Sequence, residues 1–314
     1  MSAGYGGTTS APYSSGVNNV AMGFEALKVF TTGGHNAAIG YRSGYDLTTG
    51  NYNTFLGRES GFEVTTNEGS VFLGYQAGKN TKGDYHYNIA IGMQALSSAH
   101  TTAGTIAIGY KSAEALTSGA SNIAIGYEAL KVHTTGGSNM AIGYGAMNDT
   151  DAGSNSLGST HNVFIGLDSG GGTWANEASN YNVGIGNYTL NNALDSANYN
   201  VAMGYGALSS TTTADSNVAL GYLASNAVTS GESNIAIGHG AMLVHTTGGN
   251  NIAIGHGAMD DNDAGSTSLG SDENIFIGKD SGGGTWANVK SENNVAIGNY
   301  TMDSALNGAL NNVA

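Results

Sequence analysis

The sequence predicts an all-β fold, a parallel β-roll or β-helix solenoid with about 17 residues in each coil. The first observation is a phrase, roughly Asn-(Ile/Val)-Ala-(Ile/Met/Leu)-Gly, that recurs along almost the whole chain. The second is that its residues alternate with the period of an extended strand. The third is the glycine content, 51 of 314 residues, because each glycine costs a helix about 1 kcal/mol relative to alanine.

The glycine that ends each phrase, here called the ladder glycine, sets the period of the repeat. Most successive ladder glycines are 17 residues apart. Gly126 and Gly238 are separated by 112 residues, and intervals of 17, 23 and 20 residues follow each of them. This indicates that a block of six units was duplicated. The ladder glycines are Gly23, Gly40, Gly57, Gly74, Gly92, Gly109, Gly126, Gly143, Gly166, Gly186, Gly204, Gly221, Gly238, Gly255, Gly278 and Gly298.

Two regions follow from this spacing. Residues 1–17 form a Gly/Ser/Thr-rich N-terminal segment, and residues 18–314 form a repeat β-solenoid shaft. The duplicated blocks begin near Asn122 and Asn234. Because the sequence stops at Ala314, inside a unit, we expect that the natural protein continues or that this chain is a fragment.

One unit is expected to form two short strands and two turns. In one copy, Ile123 and Ile125 alternate with Ala124, so the two isoleucines share one face of a strand. A second apolar pair, Ala129–Leu130, and a polar turn, residues 134–137, complete the unit. Because both faces of the strand are apolar, both must be buried. One face can line the inside of a thin coil, and the other needs a second layer.

The asparagine four residues before each ladder glycine predicts a structural ladder. Asparagine tolerates left-handed backbone and bonds its own turn, and stacked asparagines can bond to one another from coil to coil. Ser70 and Thr105 take its place in two units. A ligand-binding role for these asparagines is the less favoured alternative. The clearest ladder residues are Asn122, Asn139, Asn234, Asn251, Gly126, Gly143, Gly238 and Gly255.

Composition argues against several classes of function. The net charge of −14 disfavours nucleic-acid binding, which needs basic patches. The chain has no cysteine for a disulfide or a thiolate metal site. No apolar run approaches the roughly 20 residues of a membrane span, and the N-terminal residues lack the features of a secretory signal. No catalytic set or phosphate loop stands out, so we expect neither an enzyme nor a cofactor.

The repeat resembles a known family. The phrases "NIAIGYEAL", "NVAMGYGAL" and "NMAIGYGAM" are similar to the head repeats of trimeric autotransporter adhesins. They are equally similar to related repeats in bacteriophage tail fibres and tail-associated adhesins. The resemblance extends from Asn18 to the end of the chain.

This resemblance implies a left-handed parallel β-roll wound as a parallel homotrimer. Three chains together would supply the layer that covers the second apolar face. The chain departs from the adhesin pattern, because its units are longer and no signal peptide, stalk heptads or membrane anchor is visible. These departures favour a phage fibre. The implied location is a virion tail, with the bacterial cell surface as the alternative.

Aromatic residues on loops and in a repeated column are the candidates for receptor binding. Both tryptophans lie at equivalent places in the insertions of the 20-residue units, and loops on a rigid scaffold often bind ligands. The residue after the ladder glycine is often tyrosine. In the alternative interpretation, each tryptophan folds back onto the roll and the tyrosines cover neighbouring coils. The candidates are Trp174, Trp286, Tyr127, Tyr144, Tyr205 and Tyr222.

Acidic turns in the 23-residue units are weak candidates for metal ligands. Their aspartates resemble the beginning of a calcium loop, but such a loop needs further oxygen ligands and a late glutamate. A solvated acidic turn is the favoured interpretation. The residues are Asp149, Asp151, Asp261 and Asp263.

The favoured function is a structural and adhesive fibre segment, a trimeric rod that presents receptor-binding loops to a host surface glycan or protein. The first alternative is a subunit of an end-to-end extracellular filament. The second is a monomeric solenoid with a Thr-rich ligand- or ice-binding face, based on aligned pairs such as Thr134-Thr135. The second apolar face discriminates between them, because a monomer would leave it in water.

Overall fold

The computed structural model describes residues 15–82, 86–98, 101–149, 158–174, 177–260, 270–284, 290–304 and 308–314. Over these ranges the chain consists of strands, turns and bends. None of these residues belongs to a helix that could cross a membrane. The chain divides into two compact units, Met1–Asp149 with Leu157–Ser159, and Thr150–Ser156 with Thr160–Ala314.

The described part of unit 1 contains eight three-residue strands. Each strand pairs in parallel with the next one along the chain. Equivalent residues of successive repeats are partners, as in Ile106 with Ile123. The strands are β1 (Val20–Met22), β2 (Ala37–Ile39), β3 (Thr54–Leu56), β4 (Val71–Leu73), β5 (Ile89–Ile91), β6 (Ile106–Ile108), β7 (Ile123–Ile125) and β8 (Met140–Ile142).

Unit 2 repeats this arrangement with eight further strands among its described residues. The longer intervals do not shift the register, because Ile252 still pairs with Ile275 and Ile275 with Val295. The extra residues therefore lie outside the strands. The strands are β9 (Val163–Ile165), β10 (Val183–Ile185), β11 (Val201–Met203), β12 (Val218–Leu220), β13 (Ile235–Ile237), β14 (Ile252–Ile254), β15 (Ile275–Ile277) and β16 (Val295–Ile297).

These two units confirm the predicted all-β parallel β-solenoid with about 17 residues in each coil. The expected second strand is wrong, because Ala129 and Leu130 lie in a turn and not in a strand. Both are nevertheless fully buried. They form the wall of the coil opposite the strand. The core therefore lies between a sheet on one side and a column of turns on the other.

The middle residue of the strand points into the core, and its volume is matched across the coil. Where this residue is alanine, as in Ala124, the fourth residue after the ladder glycine is usually large, as in Leu130. In the four coils with phenylalanine, that fourth residue is glycine. A Cβ on Gly78 would overlap the ring of Phe72. Because interiors are close-packed, a large side chain on one wall requires a small one opposite. The four pairs are Phe55 with Gly61, Phe72 with Gly78, Phe164 with Gly170 and Phe276 with Gly282.

The asparagines form a buried hydrogen-bonded ladder between coils. The Nδ2 of Asn217 donates to the Gly231 carbonyl at 2.8 Å and to Asn200 Oδ1 at 3.2 Å. The backbone N–H of Asn234 donates to Asn217 Oδ1 at 2.9 Å. The backbone N–H groups of Asn139 and Asn251 donate in the same way to Asn122 and Asn234. These bonds satisfy polar groups that would otherwise be buried without partners.

The left-handed backbone near this ladder lies one residue earlier than the sequence indicates. Ser121 and Ser138, which precede ladder asparagines, have φ angles of 62° and 59°. The ladder asparagines themselves do not have positive φ. Their side chains act as links between coils and not as adaptations to a turn.

The ladder glycines bring successive coils into close contact. Gly126, Gly143, Gly238 and Gly255 all have φ angles of 139° or 140°, a region that side chains disfavour. A Cβ on Gly126 would overlap the carbonyl oxygen of Gly143. Glycine is therefore required here both by the backbone angle and by the space available.

We expect Gly221→Ala to destabilise the protein far more than Gly240→Ala. A Cβ at Gly221 would overlap the carbonyl of Gly238, whereas a Cβ at Gly240 meets open space at a φ of 63°. Gly240→Ala, the control, should lower the free energy of unfolding by about 1–2 kcal/mol, because alanine disfavours left-handed backbone. Gly221→Ala should lower it by at least about 3 kcal/mol, since overpacking adds to the backbone cost. Thermal unfolding measures both, and equal losses would contradict the close contact.

We expect the substitutions Phe72→Ala and Gly78→Leu to compensate for each other. Phe72→Ala should cost about 3–5 kcal/mol by opening a cavity, and Gly78→Leu about 1–3 kcal/mol by overpacking. The double variant recreates the Ala124–Leu130 arrangement, so it should recover about 2 kcal/mol relative to the sum. A double-mutant cycle of melting temperatures tests this, and additive losses would refute the volume match.

Candidate partner-binding face

The first and third residues of every strand lie on the outside of the coil. We call these positions, three residues and one residue before each ladder glycine, the outer strand face. They are partly or largely exposed, and the exposed fraction reaches 63% at Met22 and 62% at Ile297. In the sixteen described strands this face carries no charged residue, and Thr54 is its one polar residue. The chain as a whole has a net charge of −14, so an uncharged face of this length is unusual.

Aromatic residues stack in a column beside this face. The aromatic column consists of rings at the position after the ladder glycine. The Tyr127 ring lies 5.0 Å from that of Tyr110 and 4.9 Å from that of Tyr144. In unit 2, the Tyr222 ring lies 5.4 Å from that of Tyr205 and 5.0 Å from that of His239. The rings thus cover neighbouring coils, in agreement with the alternative interpretation of the tyrosines.

The stacking decides what the tyrosines can bind. Tyr127, Tyr144, Tyr205 and Tyr222 are between 43% and 56% exposed. Both faces of Tyr127 and Tyr222 are covered by their neighbours, so the ring edges and hydroxyl groups are the accessible parts. A sugar that stacks on an aromatic face would find neither face free. Desolvation between these neighbours, and then the nearby Glu128 carboxylate, raise the pKa of the Tyr127 hydroxyl.

A second aromatic column, which the sequence analysis missed, precedes the asparagine ladder. The Tyr181 ring lies 4.9 Å from that of His161 and 5.2 Å from that of Tyr199. Tyr181 and Tyr199 are 48% and 59% exposed. The signal was present in the sequence, because these residues all stand one position before a ladder asparagine. Exposed apolar and aromatic side chains therefore occupy positions on both sides of the outer strand face.

Trp174 is fully buried, which corrects its assignment as a receptor-binding candidate. Its ring packs edge-on against Phe164, with ring centroids 5.9 Å apart and planes at 70°. Burial against a core phenylalanine is favourable for so large an apolar side chain. The tryptophan therefore folds back onto the roll and offers no flat face to a ligand. Its equivalent, Trp286, lies outside the described residues.

The acidic turns supply no metal site within the described ranges. Asp149 is described, whereas Asp151, Asp261 and Asp263 are not. The described residues contain no cluster of three or more His, Cys, Asp or Glu side chains that could hold a metal ion. A calcium site at these turns stays a sequence hypothesis without geometric support.

The first threonine of two pairs, Thr31 and Thr48, and the equivalent threonine of other coils donate their hydroxyl hydrogens to the next coil. The Oγ1 of Thr117 donates to the Thr134 carbonyl at 2.9 Å, and that of Thr229 donates to the Thr246 carbonyl at 3.2 Å. Thr48 bonds in the same way to the next coil. An ice- or ligand-binding array needs hydroxyl groups free to face the ligand. The first-position threonines therefore serve contact between coils.

Charge is concentrated away from the outer strand face. Lys111 pairs with Glu114 at 3.0 Å, and Lys131 pairs with Glu128 at 2.9 Å. These residues stand two and five positions after a ladder glycine, on another side of the coil. The hydrogen bond that Lys111 donates to the Glu114 carboxylate raises the pKa of Lys111. These two coils of unit 1 thus have an apolar outer side and a charged lateral side.

No protein-family model matches the chain, and no curated protein matches it significantly. The functional argument therefore rests on the chemistry of these surfaces.

We expect the fluorescence of Trp174 to be shielded from solvent. In a Trp286→Phe variant, acrylamide should quench the remaining tryptophan several-fold less than it quenches free N-acetyltryptophanamide, because the ring is buried. The emission maximum should lie to the blue of the free compound. The reciprocal Trp174→Phe variant reports Trp286 alone and controls for the quencher. Quenching of Trp174 at the rate of the free compound would place its ring outside the roll.

Proposed function

We propose that this chain is a structural and adhesive fibre segment, a shaft of three identical β-solenoids that pack through the outer strand face. The observation that carries the proposal is the absence of charge from this face in all sixteen described strands. Exposed apolar areas of this kind mark protein–protein contacts. In a homotrimer each chain covers the apolar face of the others, which supplies the second layer that one chain lacks.

The strand register favours association of identical chains over association with a different protein. The strands of each unit keep one alignment despite insertions of different length. Identical chains in parallel would therefore present the same residue at the same level, and apolar columns would meet apolar columns along the shaft. The resemblance to adhesin and tail-fibre repeats adds a left-handed winding to this proposal.

The adhesive part of the proposal concerns the lateral side and the insertions. A trimer carries three copies of each surface, so weak contacts with a host glycan or protein add up through avidity. Trp174 takes no part, because it is buried. The proposed location is a virion tail or a cell surface. The mechanism is passive and requires neither catalysis nor a cofactor.

We expect the purified chain to have three times its mass of 31.6 kDa in solution. Light scattering after size exclusion measures this mass directly. A single-chain mass would contradict the trimer and leave the outer strand face exposed to water. A broad mass that grows with concentration would instead support the end-to-end filament.

A pair of charge substitutions tests which face forms the contact. Ile108→Lys with Ile125→Lys places two lysines on the outer strand face in successive coils. Ala103→Lys with Ala120→Lys places two lysines in the same coils, at a position that already carries glutamate or aspartate in other units, such as Glu68 and Asp215. Both variants contain the same repulsion between coils, so only the face differs.

We expect the outer-face pair to dissociate the trimer or to lower its melting temperature by about 10 °C or more, because three chains would bury six charges without partners. The control pair should keep the trimer mass and melt close to the original protein. Loss of the trimer in both variants, or in neither, would overturn the assignment of the face.

A further inference from the structure

A polar groove lies on the lateral side of unit 1, away from the outer strand face. Its volume is about 390 Å³, and it crosses four successive coils. Its lining includes Ser97, Ser98 and Ala115, and lysines from its first and last coils, Lys79 and Lys131. A volume of this size falls in the usual range for small-ligand sites, about 300–1,000 Å³.

The groove arises from a gap in a stacked column of side chains. The residue five positions after the ladder glycine is large in the neighbouring coils, as in Lys79, Glu114 and Lys131. In the coil between Lys79 and Glu114 it is Ser97, and the next residue is Ser98. Coils are spaced by about 4.8 Å, so one short side chain leaves a notch that its neighbours cannot fill. Within this part of unit 1 the notch is confined to one coil. Serine recurs at the equivalent position in unit 2 as Ser209, where Asn226 donates to its hydroxyl oxygen at 2.6 Å.

The walls of the groove carry uncommitted hydrogen-bonding groups. The side chains of Asn80, Ser97 and Ser98 make no hydrogen bond with any other part of the chain that the structure describes. Gln94 donates through Nε2 to Gln76 Oε1 at 3.3 Å, which leaves its own carbonyl oxygen as an acceptor. Amide and hydroxyl groups in this density match a ligand with many hydroxyl groups.

The charges around the groove are balanced by internal pairs. Lys79 lies 3.2 Å from Glu59, and Lys131 lies 2.9 Å from Glu128. Glu114 pairs with Lys111, three residues earlier in the same turn, at 3.0 Å. A hydrogen bond from Gln76, and then one from Lys79, lower the pKa of Glu59, so its carboxylate stays charged at neutral pH. A charged ligand would have to compete with these pairs, whereas a neutral one would not.

We propose that this groove binds a neutral saccharide of two or three sugar rings. Sugar hydroxyls exchange hydrogen bonds with Asn80, Gln94 and the two serines, and the paired lysines and carboxylates border the ligand. The inference rests on the adhesive part of the proposed function and is independent of the trimer. The groove is on the lateral side, so a shaft packed through its outer strand face keeps it open.

The first test is binding of the full chain to an array of immobilised oligosaccharides. The probes are neutral trisaccharides of glucose, galactose, mannose and N-acetylglucosamine, together with sialylated and sulfated counterparts. Retention on one or more neutral probes is the expected result. Retention only on anionic probes would overturn the ligand class, and retention on none would overturn the site. Neither of these two outcomes bears on the proposed trimer, because the mass in solution tests the trimer separately.

The second test fills the notch. Ser97→Lys introduces the residue type that Lys28, Lys79 and Lys131 already supply in the same column, so the coil should fold normally. We expect this variant to bind the retained neutral trisaccharide at least about tenfold more weakly by calorimetry. The control Ala103→Lys adds the same side chain outside the groove and should bind like the original protein. Unchanged affinity in Ser97→Lys would place the saccharide elsewhere.

Discussion

The rest of the structure depends on how closely one coil can approach the next, and the ladder glycines set that approach. Their backbones lie so near to one another that a single added carbon would overlap a carbonyl oxygen. Each coil must therefore place a glycine at the same point of its path. Once these points are aligned, the strands pair in register and the asparagines reach one another. Every column described above, apolar, aromatic or charged, follows from that alignment.

Much of the fold could be predicted from the sequence, because the glycine spacing gives both the coil length and the alignment of the strands. The position of the ladder asparagine in each repeat could also be predicted from the sequence. The left-handed backbone, however, belongs to the residue before it, as Ser121 shows. The period alone does not reveal which strand face is internal, since alanine and isoleucine are both apolar. The pairing of a large middle residue, Phe72, with a glycine at the opposite wall, Gly78, does reveal the internal face. The fate of Trp174 could not be predicted, because a glycine-rich loop allows its ring to turn either way.

The candidate surfaces were harder to predict because they depend on side-chain columns from distant parts of the sequence. Tyr127 looked like a binding residue when considered alone, but its neighbours 17 residues away cover its two faces. The polar groove exists for the opposite reason, since Ser97 fails to continue a column of larger side chains. In a solenoid, the environment of a residue is set by its equivalents in adjacent coils more than by its sequence neighbours. On such a scaffold, a candidate binding site lies where one coil interrupts a column of similar side chains.

The volume match between the strand and the opposite wall has a consequence for how such a chain can change its length. Phe55, Phe164 and Phe276 are each accommodated by a glycine six residues later in the same coil. Each of these coils thus supplies the small residue that its own large side chain requires, although Phe55 and Phe164 also pack closely against a glycine of an adjacent coil, Gly44 and Gly184. Recombination between two coils at the same point of the repeat would therefore join coils whose large and small core residues still match. Genetic shortening or extension of this chain in steps of whole coils would then keep each of these phenylalanines together with its own glycine.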